Sequence, residues 1–234
     1  MMIKSAAFIF DIDGTLVSLQ HIWKQLFHSL YHDECGFELT DTELKSKFGP
    51  PEMEGHSAIL QGRGLYSLEK VLTLMQKTQE RMLGILSQTD LTSYLLPSVV
   101  ECLAFIQKAE AGCACATGNM KPIANSILRG AGLESYFPVL SCSTPTTQHR
   151  YEIVAKAKRE LEEGRGQIFE SHRTYVIGDT PSDIKAAQAL GLNSVAVATG
   201  NYSLDELCVY HPTILISGLD RLLPALSLEP LTSH

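Results

Sequence analysis

Two aspartates, Asp11 and Asp13, sit two residues apart at the end of the apolar run FIFDIDGTLV (8–17). An ionised carboxylate taken out of water is costly unless it is paired or bound to a metal, so such a pair needs a chemical use. Three further stations carry polar residues. ATGN (116–119) places a hydroxyl and a glycine where an apolar run gives way to a helical pattern. HRYEIVAKA (149–157) puts a cation at a helix start, and IGDTPSDIKAA (177–187) carries Asp179 and Asp183 four residues apart. Groups of these kinds allow proton transfer, binding of a hard divalent cation, and capture of an anion by small donors.

The elements that must position them alternate along the chain. Short, fully buried strands are predicted at AAFIFDI (6–12), GCACATG (112–118), FPVLSC (137–142), TYVIGD (174–179), NSVAVATG (193–200) and PTILIS (212–217). Helical patterns lie near 97–110, 121–131, 149–163, 181–190 and 203–209. Strands alternating with helices mean βαβ units, hence an α/β fold with a doubly wound parallel sheet covered on both faces. Ligands of such sheets sit beyond the carboxyl ends of the strands, and Asp11, Thr117 and Asp179 all fall there. Residues 18–96 break the alternation with helical patterns near 18–33, 41–47, 53–62 and 67–88, punctuated by FGPPEMEG and QGRGLYS. They predict a helical cap domain inserted after the first strand, between core segments 1–17 and 97–234. The loop 48–57 is expected to face the strand ends, with Glu52, Glu54 and His56 offering polar contacts. SLEPLTSH (227–234) reads as a fraying tail.

Composition narrows the function classes. The 234 residues suit one large domain or a domain with an insertion, and a net charge of −7 lacks the basic face that nucleic acid or an anionic membrane would need. The first apolar run is short and already holds Asp11 and Asp13, so it fails as a signal-peptide core. No run approaches the ~18 apolar residues of a membrane span. Six scattered cysteines in a chain of this size imply a reducing, cytoplasmic location. Cys113 and Cys115 share one strand face and read as core packing. His28 and His32, near Cys35, have a zinc-like spacing but lack a further identified ligand. Trp23, Leu26, Phe27 and Leu30 read as a buried helix face with those histidines at its edge.

DIDGTLV, paired with IGDTPSDIKAAQALGLNSVAVATGNYS and with the two intermediate stations in order, resembles the haloacid dehalogenase superfamily of Mg²⁺-dependent phosphohydrolases over nearly the whole chain. TGN, GLESYF and VAVATGNYS look like its phosphoglycolate-phosphatase-like subgroup. The resemblance implies a Rossmann-like core in which Asp11 attacks phosphorus to give an aspartyl-phosphate. Asp13 then serves as the acid and base. Mg²⁺ is implied to be held by the carboxylates of Asp11 and Asp179 and the main-chain carbonyl of Asp13. Thr117, Gly118 and Asn119 are implied to hold phosphoryl oxygens at a helix N-terminus. Arg150 is the candidate for the cation of the third motif, with Lys121 and Lys156 behind it. Asp183 would hold metal-bound water or Arg150, and Gly14 would turn backbone N–H groups towards the phosphate. The expected partner is a small phosphorylated metabolite. A phosphomutase keeps all four stations and remains open, as does a binding or regulatory protein with this fold and no turnover. Taken singly, each station has a plainer reading: a loop carboxylate pair, a turn, a solvated arginine, a helix cap.

Overall fold

The computed structural model of the chain describes residues 3–228. Six parallel strands form one sheet: β1 (Ala7–Phe10), β2 (Gly112–Met120), β3 (Leu140–Ser143), β4 (Thr174–Gly178), β5 (Asn193–Val197) and β6 (Ile214–Ile216). Their spatial order is β3-β2-β1-β4-β5-β6. Every strand expected from the sequence is present, and the order reverses beside β1, which pairs in register with both β2 and β4. That placement brings the ends of β1, β2 and β4 side by side.

Alternation along β1 explains why both faces are covered. Phe8 and Phe10 point with Cys113 and Cys115 into the larger apolar cluster, against α5 (Val99–Lys108) and α6 (Lys121–Gly130). Ala7 and Ile9 point with Ala114 and Ala116 to the opposite face, against α7 (Arg150–Arg165) and α8 (Pro181–Ala189). The small alanines on that face let α7 approach closely. All six cysteines are free thiols. Helices α9 (Leu204–Cys208) and α10 (Leu222–Leu228) complete the sheet side. The tail expected at 227–234 lies outside the described residues beyond Leu228.

Between β1 and α5 the chain forms four α-helices, α1 (Gln20–Cys35), α2 (Asp41–Ser46), α3 (Glu52–Gly62) and α4 (Leu68–Leu86). It leaves and returns side by side: Ser18 N–H donates to the Tyr94 carbonyl at 2.8 Å and Leu96 N–H to the Leu16 carbonyl at 3.0 Å. Trp23, Leu26, Phe27 and Leu30 form the buried face of α1, and the larger apolar cluster runs on from the sheet into these helices. None of the helices among the described residues is long and apolar enough to cross a membrane.

One local expectation fails. Residues 48–57 are not one loop, because the helix predicted near 53–62 begins at Glu52 as α3. Pro51 sits at its N-cap, where a missing N–H costs little. His56, expected at the strand ends, is wholly buried within the helical segment. Its Nδ1 faces the Tyr31 hydroxyl at 2.7 Å and its Nε2 faces Glu52 at 3.0 Å. Tyr31 therefore donates to Nδ1, and the neutral ring donates from Nε2 to the carboxylate. Lys47 Nζ donates to the same carboxylate at 2.7 Å. Burial, reinforced by Lys47, lowers the His56 pKa from 6.5 to about 4. Burial opposes ionisation of Glu52, but Lys47 and His56 outweigh it and bring its pKa down to about 2.

The signs set a pH dependence. The unfolded chain takes up a proton at position 56 below pH ~6.5, whereas the folded chain resists until about 4, so the contribution of His56 to stability falls as pH drops through this window. The loss should be on the order of 3 kcal/mol, at about 1.4 kcal/mol per pKa unit. Glu52 adds a separate loss only below about 4.5. The stability difference between wild type and His56→Gln, read by denaturant unfolding, should therefore fall by about 3 kcal/mol from pH 7 to 4; a difference that stays constant would contradict the buried neutral histidine.

Candidate active site

Asp11 follows β1 directly, and its N–H continues the sheet by donating to the Ile177 carbonyl at 2.9 Å. Asp179 follows β4 in the same way, so the two buried carboxylates stand on adjacent strand ends. Asp183 lies one turn into α8. Its Oδ2 accepts from the Thr180 hydroxyl at 2.6 Å, capping the helix, while its Oδ1 accepts from Arg150 Nε at 3.1 Å. The capping reading and the Arg150 reading of Asp183 both hold.

Arg150, the first residue of α7, is buried rather than solvated. Its Nη2 donates to Asp11 Oδ1 at 2.6 Å and to the Ala116 carbonyl at 2.7 Å. Lys121 and Lys156, the other cation candidates, point to solvent, and Lys156 lies beside Glu160. Burial works against a charged Arg150, but Asp11 and Asp183 outweigh it and hold the proton more firmly than usual. One guanidinium does not balance three acids. Burial, with Asp183 and Asp13 adding repulsion, raises the Asp11 pKa to about 7 despite Arg150. Burial, then Asp11 and Asp183, raises Asp179 well above the carboxylate range.

Gly14 adopts φ +80°, and a Cβ there would meet Asp179 Oδ2 at 2.3 Å. Its backbone must be both left-handed and pressed against the carboxylate, which only glycine allows. The Gly14 N–H itself is committed to the Val17 carbonyl at 2.8 Å. The donors of Thr117, Gly118 and Asn119 are placed differently from expectation. These residues lie within β2, at a register irregularity against β3, and α6 starts only at Lys121. Their donors are thus presented by a strand bulge rather than a helix N-terminus. A Cβ on Gly118 would meet the Pro50 carbonyl at 2.7 Å, so this glycine admits the helical segment up to the strand ends.

Asp13 is partly buried and belongs to both walls. Its Oδ1 accepts the Trp23 indole N–H at 2.7 Å and its Oδ2 the Asn119 amide at 2.6 Å. Burial raises its pKa to about 6 against the lowering effect of those two bonds.

Asp11, Asp13, Thr117, Gly118, Asn119, Arg150 and Asp179 line one small cavity of about 40 Å³. Its other wall is the helical segment, through Gln20, Trp23, Phe27, Lys47 and Glu52. Among the described residues, four buried polar atoms on this lining have no protein partner: Asp179 Oδ1, Arg150 Nη1, Gln20 Nε2 and Asn201 Nδ2. Buried polar atoms are normally satisfied, so the cavity is shaped for a ligand that is both cation-bearing and anionic. Oxygen atoms of Asp11, Asp179 and Asp183 lie within 4.8 Å of one another. An all-carboxylate donor set of this kind suits a hard divalent cation.

Not every expected residue reaches the cavity. His56 lies behind Glu52, and half-buried Glu54 faces His149 and Lys185. His28 and His32 pair with Glu38 and Asp33 and make no metal cluster among the described residues. Lys47, Gln20 and Asn201 were not singled out, and Trp23 was read only as core. A cation just ahead of FGPP and an indole N–H needing a partner were the available signals.

Residues 8–197 match the profile of haloacid dehalogenase-like hydrolases. A phosphoglycolate phosphatase of Mesorhizobium japonicum is 25% identical over 224 residues, covering 92% of this chain and 91% of its own. A solved hydrolase from Pseudomonas syringae superposes with a TM-score of 0.81 at 19% identity, covering 96% of this chain and 100% of its own. A β-phosphoglucomutase from Clostridium difficile superposes at 0.77 with 20% identity, covering 93% and 92%. The two structural likenesses establish the fold.

Removing the guanidinium tests the charge balance. Arg150→Met leaves Asp11 and Asp183 buried without their cation, a loss of about 3–5 kcal/mol. That corresponds to a Tm lower by roughly 10 °C in calorimetry; an unchanged Tm would show that Arg150 is not the counter-charge.

Proposed function

Because the chain belongs to the haloacid dehalogenase-like hydrolase family, we propose that it is a Mg²⁺-dependent phosphohydrolase acting on a small-molecule phosphomonoester through an aspartyl-phosphate. The observation that carries this reading is the convergence of Asp11, Asp13 and Asp179 on one cavity where Arg150 Nη1 and Asp179 Oδ1 have no protein partner. Asp11 and Asp179 would hold the cation through carboxylate oxygens and Asp13 through its main-chain carbonyl. When bound, the ion offsets repulsion between the carboxylates and a phosphate dianion.

The chain's own residues account for the rest. Arg150 and the Thr117 hydroxyl bind phosphoryl oxygens, with Gly118 and Asn119 shaping the same edge. An Asp11 oxygen forms a bond to phosphorus as the bond to the leaving oxygen breaks. Asp13 gives its proton to that oxygen. In the second step Asp13 takes a proton from water, whose oxygen bonds to phosphorus while the Asp11–phosphorus bond breaks. Residues 18–96 act as a cap that closes over the leaving group and excludes water. The Lys47–Glu52 pair and Gln20 form the wall that meets the rest of the substrate. The partner is a small phosphorylated metabolite.

A panel of phosphomonoesters assayed for phosphate release with Mg²⁺, with EDTA, and with Asp11→Asn tests the reading. Expected are release with Mg²⁺, its loss on chelation, and a fall of at least about 10³-fold in the variant. Chelation-resistant release would contradict the metal role. Transfer of phosphate between hydroxyls without release would replace the hydrolase reading with a phosphomutase.

A further inference from the structure

Asp13 receives one hydrogen bond on each carboxyl oxygen, and the two donors come from opposite walls. Asn119 belongs to the end of β2, whereas Trp23 belongs to α1 of the helical segment. The terminal torsion of an aspartate is broad when unsupported, and two bonds to two oxygens fix the carboxyl plane where one leaves it free to turn. An indole N–H donates and cannot accept. Trp23 is therefore built to hold this carboxylate rather than to exchange protons with it.

The position of that indole is set by the helical segment. Trp23 stacks on Phe27 with ring centroids 5.3 Å apart and planes 23° off parallel. The Lys47 ammonium lies over the Phe27 ring at 4.6 Å and is held by Glu52 at 2.7 Å. A contiguous series of contacts thus runs from the cap's buried ion pair to the acid on the core.

We infer that Trp23 is a positioning residue for Asp13: its indole N–H, placed by the seating of α1, sets the plane in which Asp13 meets the leaving-group oxygen. This rests on the phosphohydrolase reading above. It makes protonation of the leaving group depend on the helical segment being docked, while phosphate capture by Arg150 and Thr117 does not. Loosening the acid should therefore cost most for leaving groups that most need a proton.

The chain has a single tryptophan, so biosynthetic replacement of tryptophan by β-(3-benzothienyl)alanine exchanges this one N–H for sulfur in a ring of the same shape. Trp23→Phe is the second variant, and Asp13→Asn and wild type are the references. Single-turnover phosphoryl transfer is followed for an alkyl phosphate and for aryl phosphates of graded leaving-group pKa. The analogue should lose roughly tenfold on the alkyl phosphate, the size of one hydrogen bond to a charged group. That loss should shrink towards none for p-nitrophenyl phosphate, with KM little changed. Asp13→Asn should show the same trend, more steeply. A uniform loss across leaving groups, or no loss, beside a graded loss in Asp13→Asn would overturn the role of Trp23 and leave the function standing. A wild type without phosphatase activity would overturn the function, and this inference with it, in the reference arm alone.

Discussion

Three buried carboxylates share one guanidinium, and the rest of the molecule is arranged around that shortage of positive charge. Asp11, Asp179 and Asp183 come within 4.8 Å of one another, and Arg150 bonds directly to two of them. Taking ions out of water costs several kcal/mol each, and mutual attraction repays it only with good geometry. A parallel sheet that reverses its order beside β1 supplies that geometry, because adjacent strand ends deliver Asp11 and Asp179 to one point. The alanine-rich face of β1 and β2 lets α7 close in with Arg150. Burial still leaves Asp11 and Asp179 with raised pKa values. That residual imbalance favours a divalent cation, and it gives the strand ends a purpose beyond stability.

The helical segment answers a different constraint. Its own buried ion pair, Lys47 with Glu52, stands beside neutral His56 and is internally satisfied. It can therefore face the cavity without adding net charge to a site already crowded with acids. Gly118 lets Pro50 approach the strand edge, and Trp23 reaches across to Asp13. The strand ends and the helical segment thus meet at one carboxylate, that of Asp13.

Much of this was legible in the sequence, for physical reasons. Apolar runs of strand length broken by Asp11 and Asp179 marked the strand ends, and the alternation with helices marked the parallel sheet. Arg150 and Asp183 needed the family resemblance, since an arginine at a helix start looks like surface until α7 is docked. Three features were misread. Pro50 and Pro51 punctuate the chain, so the loop expected over 48–57 overran the start of the helix predicted near 53–62, although proline is well tolerated where a helix begins. The donors of Thr117–Asn119 were expected at a helix N-terminus following a strand at 112–118, but pairing with β3 extends β2 through a bulge to Met120. His56 looked like a polar contact because sequence spacing does not show that Tyr31 and Glu52 satisfy both ring nitrogens inside the helical segment. Trp23 and Lys47 pair with Asp13 and Glu52, 10 and 5 residues away, but each contact joins two separate elements, and strand or helix periodicity carries no trace of it.

The central claim is that this charge arrangement leaves Asp11 as the group that bonds to phosphorus. Brief mixing of the protein with a phosphomonoester and Mg²⁺, followed by borohydride reduction and peptide mass spectrometry, reads it directly. An acyl phosphate is reduced to the alcohol, so the account predicts homoserine at position 11, and only there, in protein exposed to substrate. Phosphate release with Asp11 unmodified, or reduction at another carboxylate, would contradict it.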